Sequence, residues 1–362
     1  MQRSIALASA ILLLLLSCGT AKEGMLPNGN FEIGPEPSNL KGFLLIGEDS
    51  LPYWRVMGMV EYIHSGRKPQ DMVVVVPRGT HAVRLGNKAT VVSHSVKVKK
   101  GSYYSLSFHA ARTCAKAESL NISAPPVWGE ISIQTVYAST GWDAYSWGFR
   151  APADIVEFHI HNPGEEEDPA CGPVVDGVAL KRLRLPKFSG ENLIRNGDFE
   201  EGPYVFPNAS SGVLISPVRE DAVTALPGWV VESLRPIKYI DAIRHHFAVP
   251  HGNAAVELIA GKENAISQTV RTTPGKKYIL SFAVGDAGNQ CKGKLMVVAF
   301  AGQESMKVPY DSQGKGGFKT ATLSFTAASK KTRIVFTSEF YTMRSDDGVT
   351  FCGPVIDQIT LR

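Results

Sequence analysis

The chain has 362 residues, of which 44% are apolar and 20% charged, with a formal net charge of +4. That composition excludes a disordered chain and provides for two cores of ordinary size. The positive excess is small and scattered, which argues against nucleic acid as a partner and favours residence near an acidic polymer.

At the N-terminus Arg3 precedes an apolar run from Ile5 to Leu16, closed by small and polar residues through Gly19-Thr20-Ala21. This reads as a signal peptide over residues 1–21, cut after Ala21. The run is too short to span a bilayer, and no later segment is long enough. Leu16-Ser17-Cys18 loosely matches a lipid-attachment box, which is the competing reading.

The next stretch, Asn28-Gly29-Asn30-Phe31-Glu32 with Gly34-Pro35 behind it, returns as Asn196-Gly197-Asp198-Phe199-Glu200 with Gly202-Pro203. Pro77-x-Gly79-x-x-Ala82-Val83-x-Leu85 returns as Pro250-x-Gly252-x-x-Ala255-Val256-x-Leu258. Each half closes on one phrase, Cys171-Gly172-Pro173-Val174-Val175-Asp176 and Cys352-Gly353-Pro354-Val355-Ile356-Asp357. Landmarks in identical order mean a domain duplication and not a short-period solenoid. The expected organisation is a first domain over residues 22–185, a linker over 186–190 and a second domain over 191–362.

Between the landmarks the pattern has period two. Tyr104, Leu106 and Phe108 alternate with polar residues, as do Val156, Phe158 and Ile160, and the second half answers with Leu280, Phe282 and Val284. These are half-buried strands separated by Gly, Pro and Asn clusters, so the fold class is all-β, two tandem jelly-roll β-sandwiches. Apart from Cys18 there are four cysteines, two per repeat. Only one of the three pairings keeps each bond inside its own repeat, Cys114–Cys171 with Cys291–Cys352. Each would stabilise its domain by about 4 kcal/mol through loop closure.

Sugar binding asks for flat aromatic faces with polar groups beside them. The candidates are Trp128, in a loop after Pro125-Pro126, and Trp142, Tyr145 and Trp147. Tyr145, Trp147 and Phe149 share one strand face, which reads more readily as core; Trp142, off that register, is the one expected to be exposed. Trp54 and Trp229 recur in both repeats and read as core anchors. His159 and His161 share a face that runs into an acidic loop and read as a solvated strand. Asn121-Ile122-Ser123 and Asn208-Ala209-Ser210 are N-glycosylation patterns expected on exposed loops. The chain has no Gly-x-Ser-x-Gly elbow, no His-Glu-x-x-His, no phosphate loop and no dinucleotide fingerprint.

The opening stretch, Ala82-Val83-Arg84-Leu85-Gly86-Asn87, Gly141-Trp142-Asp143-x-Tyr145-x-Trp147, the run from His161 to Pro173, and Tyr239-Ile240-Asp241 together resemble the plant cell-wall family labelled domain of unknown function 642. The resemblance covers nearly the whole chain after the signal. It implies tandem galactose-binding-like jelly rolls, secretion to the cell wall, attachment to wall polysaccharide (cellulose, hemicellulose or pectin) and association with pectin methylesterase. It implies no catalytic residues, so the expectation is a non-enzyme, the alternatives being a hydrolase or esterase with an unrecognised site or an extracellular receptor ligand. His94 departs from the pattern, which expects Gln as at Gln268.

Asp176 and Asp357 have the parity of inward apolar neighbours, and an inward carboxylate needs a partner. The resemblance to carbohydrate-binding jelly rolls implies that the first and last strands lie together with a structural calcium between acidic groups, here Glu32 with Asp176 and Glu200 with Asp357. The competing reading is an Asp that accepts backbone N–H bonds from the Asn-Gly turn.

Overall fold

A computed structural model describes residues 24–66, 74–114, 118–133, 135–168, 171–207, 212–218 and 223–362. The expected signal peptide, its cleavage site and Asn208 lie outside the described residues. The structure is built almost entirely of strands, and the period-two stretches form them: Tyr104, Leu106 and Phe108 enter one core, and Leu280, Phe282 and Val284 enter another.

The two halves share one sheet. Among the described residues it runs Leu40–Lys41, Leu44–Leu45, Val60–His64, His81–Leu85, Val174–Leu183, Tyr103–Ala111 and Trp142–Arg150. It continues without a break into Val213–Ile215, Ile237–Asp241, Ala254–Glu257, Val355–Leu361, Lys277–Gly285 and Phe318–Thr326. The junction is a parallel pairing of Tyr145 with Leu214 and Ser146 with Ile215. A second, five-stranded sheet completes each sandwich. These two sheets pack on opposite faces of the shared one: Tyr145 and Leu214 belong to the first core, whereas Ala144, Val213 and Ile215 belong to the second. Neighbouring residues on a strand point to opposite faces, so each junction strand serves both domains.

The recurring motifs have a common mechanical cause. In each repeat the opening stretch lies against the closing strand, so a Cβ on Gly29 would fall 2.3 Å from the Val178 carbonyl oxygen and one on Gly197 2.0 Å from that of Ile359. Only glycine fits there. Trp54 and Trp229 are buried, and their indole N–H groups donate to the carbonyls of Asn28 and Asn196 at 3.0 and 2.9 Å. Glu32 accepts from the backbone N–H groups of Thr80 and His81 at 2.7 and 2.9 Å, and Glu200 accepts from those of Asn253 and Ala254 at 2.6 and 3.1 Å. The glutamate of the opening motif therefore fixes the turn that follows the Pro-x-Gly motif, which is why the two recur together.

The disulfides are Cys114–Cys171 and Cys291–Cys352, with Cα separations of 5.4 and 5.8 Å, each inside its own repeat. Residues 186–190 form no strand, and contact between the halves runs through the sheet and two flanking segments. On one side Lys181 Nζ donates to the Gly202 carbonyl at 2.8 Å, Arg78 Nη1 donates to that of Pro207 at 3.0 Å, and Phe206 lies 4.3 Å from the His109 ring. On the other, the Phe351 N–H donates to the Tyr137 carbonyl at 3.0 Å and the Ser139 N–H to Thr350 Oγ1 at 3.0 Å. Beneath that contact Asp143 accepts from the Tyr137 N–H at 2.9 Å. Burial pushes its carboxyl up to about 7 against the opposing pull of that N–H and of Lys238. No helix among the described residues is long and apolar enough to cross a membrane.

Candidate functional site

Ser119–Ala124 and Val127–Ser132 form a hairpin at the edge of the first domain's five-stranded sheet. Pro125 and Pro126 make its turn, so Trp128 lies on a strand and not in the expected loop. Ile131 points inward, whereas Trp128 and Glu130 point outward, and Trp128 is 64% exposed. Beneath it a groove of about 490 Å³ follows the open side of the first sandwich. Trp147 and Phe149 from the first domain and Ile215 and Ala225 from the second contribute apolar lining; Glu130, Ser146, Arg150 and Ser216 contribute polar groups. At the end marked by Thr135 and Arg235 a further hollow of about 280 Å³ shares Glu130, Ser216 and Pro217. Gly129 makes room for the floor, because a Cβ there would fall 2.4 Å from Trp147 Nε1.

The structure separates the four aromatic candidates. Trp128 is exposed, but Trp142 is not: it is 7% exposed and packs with Ile63, Val74, Ala82 and Val174. Trp142 does lie on the face opposite Tyr145, as its parity predicts. That face is not open to solvent, because Val74 and Val76 pack over it together with Ile63, Ala82 and Val174. Tyr145 and Trp147 are core residues, Trp147 stacking on Phe149 at 4.8 Å and still reaching the groove floor. Glu130, Arg150 and Ser216 were not anticipated. Arg150 and Ser216 stand at strand ends and Glu130 within an edge strand, and their meeting depends on the two domains sharing a sheet. Among the described residues the second repeat has no matching groove wall, since nothing pairs with the outer edge of Phe318–Thr326, the counterpart of Trp142–Arg150.

The expected calcium ligands lie near one another in pairs, Glu32 close enough to raise the Asp176 carboxyl and Glu200 that of Asp357. Glu32 and Glu200 are spent on the turns described above, and for Glu32 those N–H bonds outweigh desolvation and hold the carboxyl below its usual range. Asp357 accepts from the N–H groups of His251 and Gln358 at 3.0 and 2.7 Å, not from the Asn-Gly turn, while burial pushes its carboxyl up to about 7. Asp176 is fully buried and neither oxygen meets a hydrogen bond of good geometry, and burial pushes its carboxyl up to about 8 against the opposing pull of the nearby Gly177 and Arg78 N–H groups. The donor chemistry for a hard cation is therefore present at Asp176, with any further oxygens left to backbone carbonyls. Among the described residues, the one close grouping of three His, Cys, Asp or Glu ligand atoms is Cys114, Asp168 and Cys171, and its two sulfurs are joined as a disulfide.

His159 and His161 face outward beside the hairpin, with His161 Nδ1 2.9 Å from Thr90 Oγ1. Asn121 pairs with Glu130 and His161 in the middle of that sheet, not on a loop.

A family profile described as "Protein of unknown function (DUF642)" matches residues 24–181 and 192–362. Two Arabidopsis thaliana relatives, DUF642 L-galactono-1,4-lactone-responsive gene 2 and gene 1 proteins, are 57% and 54% identical over 340 residues, covering 94% of this chain and 91% of each relative. A third, protein TEEBE of the same plant, is 50% identical over 339 residues. Among solved structures, the tandem CBM22 domain of Paenibacillus barcinonensis Xyn10C aligns over 95% of this chain and 98% of its own, at 9% identity and a TM-score of 0.28. The ANXUR2 extracellular domain of Arabidopsis thaliana aligns over 89% and 95%, at 10% identity and a TM-score of 0.30. On the span of the profile and the identity to its relatives, the chain belongs to the DUF642 family.

Proposed function

We propose that the chain is an exported, non-catalytic plant cell-wall protein that binds wall polysaccharide in the groove beneath Trp128. The observation that carries this reading is the exposed indole at the rim of a groove with an apolar floor and polar walls. A pyranose offers the matching surface, an apolar face for the ring and hydroxyls for Glu130, Arg150, Ser146 and Ser216. Two intradomain disulfides support an oxidising compartment, and family membership supports the plant wall. Glu130 is the only carboxylate among the described residues that line the groove. Glycoside hydrolysis generally needs a pair roughly 5–10 Å apart, so the lining favours binding without chemistry.

Two further parts belong to the same proposal. Association with pectin methylesterase is supported by the resemblance alone, and pull-down of that enzyme from wall extracts tests it. A structural cation is proposed at Asp176 only, where neither buried oxygen meets a hydrogen bond of good geometry. The polysaccharide reading is tested by incubating the purified chain with isolated cellulose, hemicellulose and pectin. It should sediment with at least one fraction and release neither sugar nor methanol. Release that disappears in Glu130→Gln would replace the binding reading with an enzymatic one.

A further inference from the structure

Asn121-Ile122-Ser123 lies inside a strand, and the register decides where its side chains point. Asn121 pairs with Glu130 and His161, and Ser123 pairs with Trp128 and His159. Ile122 between them is fully buried. Asn121 and Ser123 therefore share the outer face with Trp128 and Glu130. Among the described residues the Asn121 side chain has no hydrogen-bond partner, whereas the amides of Asn28, Asn162 and Asn196 are tied to backbone carbonyls. Its nitrogen is the free member of an acceptor pattern, held at the centre of an open sheet face. Trp128 is its diagonal neighbour across the hairpin, a spacing of about 7–8 Å on one sheet face.

We propose that Asn121 carries an N-linked glycan whose first N-acetylglucosamine folds onto the indole of Trp128, so that the chain's own sugar covers the aromatic rim of the groove. Attachment joins Asn121 Nδ2 to the sugar C1, breaks the bond from C1 to a lipid-linked diphosphate donor, and releases the amide proton with that diphosphate. Once the hairpin closes, the buried Ile122 fixes the glycan on the outer face. There the apolar side of the first sugar meets the largest exposed aromatic surface within its reach. The consequence is competition: the attached glycan and a wall polysaccharide claim the same indole. That consequence rests on the polysaccharide reading above, whereas the contact itself does not.

The test uses the full chain secreted from a glycosylating host, with Ser123→Ala to remove the acceptor pattern, Trp128→Ala, and the double variant; Asn121→Gln serves as a second route to the unglycosylated protein. Peptide mass mapping should find hexosamine on Asn121. Trp128→Ala should lower the melting temperature of the glycosylated chain by about 2–4 °C and leave the Ser123→Ala background unchanged. Retention on wall polysaccharide should rise several-fold when the glycan is absent. An unmodified Asn121 peptide, or the same melting shift from Trp128→Ala in both backgrounds, overturns the proposal. Coupled melting with no retention by any of the four proteins upholds the glycan contact and sinks the polysaccharide reading instead.

Discussion

Lys238 and Glu257 face each other across adjacent strands at 3.3 Å with both side chains buried, and Glu61 and Arg84 hold the equivalent places in the first repeat, at 2.7 Å, with the charges exchanged. The equivalence is anchored by the next residue, since the hydroxyls of Tyr62 and Tyr239 donate to the carbonyls of Phe31 and Phe199. A chain that contains one sheet twice can exchange strands between its copies. Here an exchange would set Glu61 against Glu257 and Lys238 against Arg84, burying like charges. Glu61→Lys should therefore cost the first domain about 3–5 kcal/mol in urea unfolding. Adding Arg84→Glu should recover most of that while making both repeats alike, so the double variant should refold with more aggregate on size exclusion. A full refolding yield would show that the exchanged polarity has no role in keeping the repeats apart.

Trp142 and Trp128 should separate stability from binding. Trp142→Ala removes a buried indole and should destabilise the first domain by about 3–5 kcal/mol. Trp128→Ala, made in the Ser123→Ala background, should leave the melting temperature unchanged and lose polysaccharide retention. Equal retention by that variant and its parent would remove Trp128 from the site.

For the cation, chelation followed by thermal melting should destabilise the first domain and spare the second, because neither Asp176 oxygen meets a hydrogen bond of good geometry whereas Asp357 accepts two. Elemental analysis should find calcium in the untreated chain and none in Asp176→Asn. A melting curve indifferent to chelation, with no metal found, would leave Asp176 as a buried neutral acid.

Asp143 sets a pH dependence of definite sign. Its carboxyl, 4% exposed, is raised from 3.8 to about 7 in the folded chain. The unfolded chain gives up this proton first as pH rises. Its contribution is thus intact below about pH 4, falls by at most about 1.4 kcal/mol per pH unit, and is lost above about pH 7. Asp143→Asn should match the parent in melting temperature at pH 4 and exceed it at pH 8. A variant less stable than the parent at pH 8 would mean that the ionised carboxylate is held by Lys238 after all.

Much of the architecture could be read from the residues because it depends on local and repeated features. Alternation along Tyr103–Ala111 and Lys277–Gly285 gives strands, since a half-buried strand must alternate. The recurrence of Asn28-Gly29 as Asn196-Gly197 marks two equivalent domains, since each glycine meets the closing strand's backbone. The cysteines divide two to a repeat, so duplication alone selects the pairing seen.

What the sequence by itself determined is thus the set of strands, the duplication and the disulfides, all of which follow from side-chain period and from motifs with local causes. Only the tertiary structure decided how the domains join and where the groove lies. The parallel pairing of Tyr145 with Leu214 brings together residues far apart in the chain, and no period encodes a contact between two edges. That contact builds the second wall of the groove from Ile215 to Val218. Exposure was undecided for the same reason. Alternation tells which face of a strand a tryptophan occupies, but whether other side chains cover that face depends on elements elsewhere, and so Trp142 is buried while Trp128 stands open.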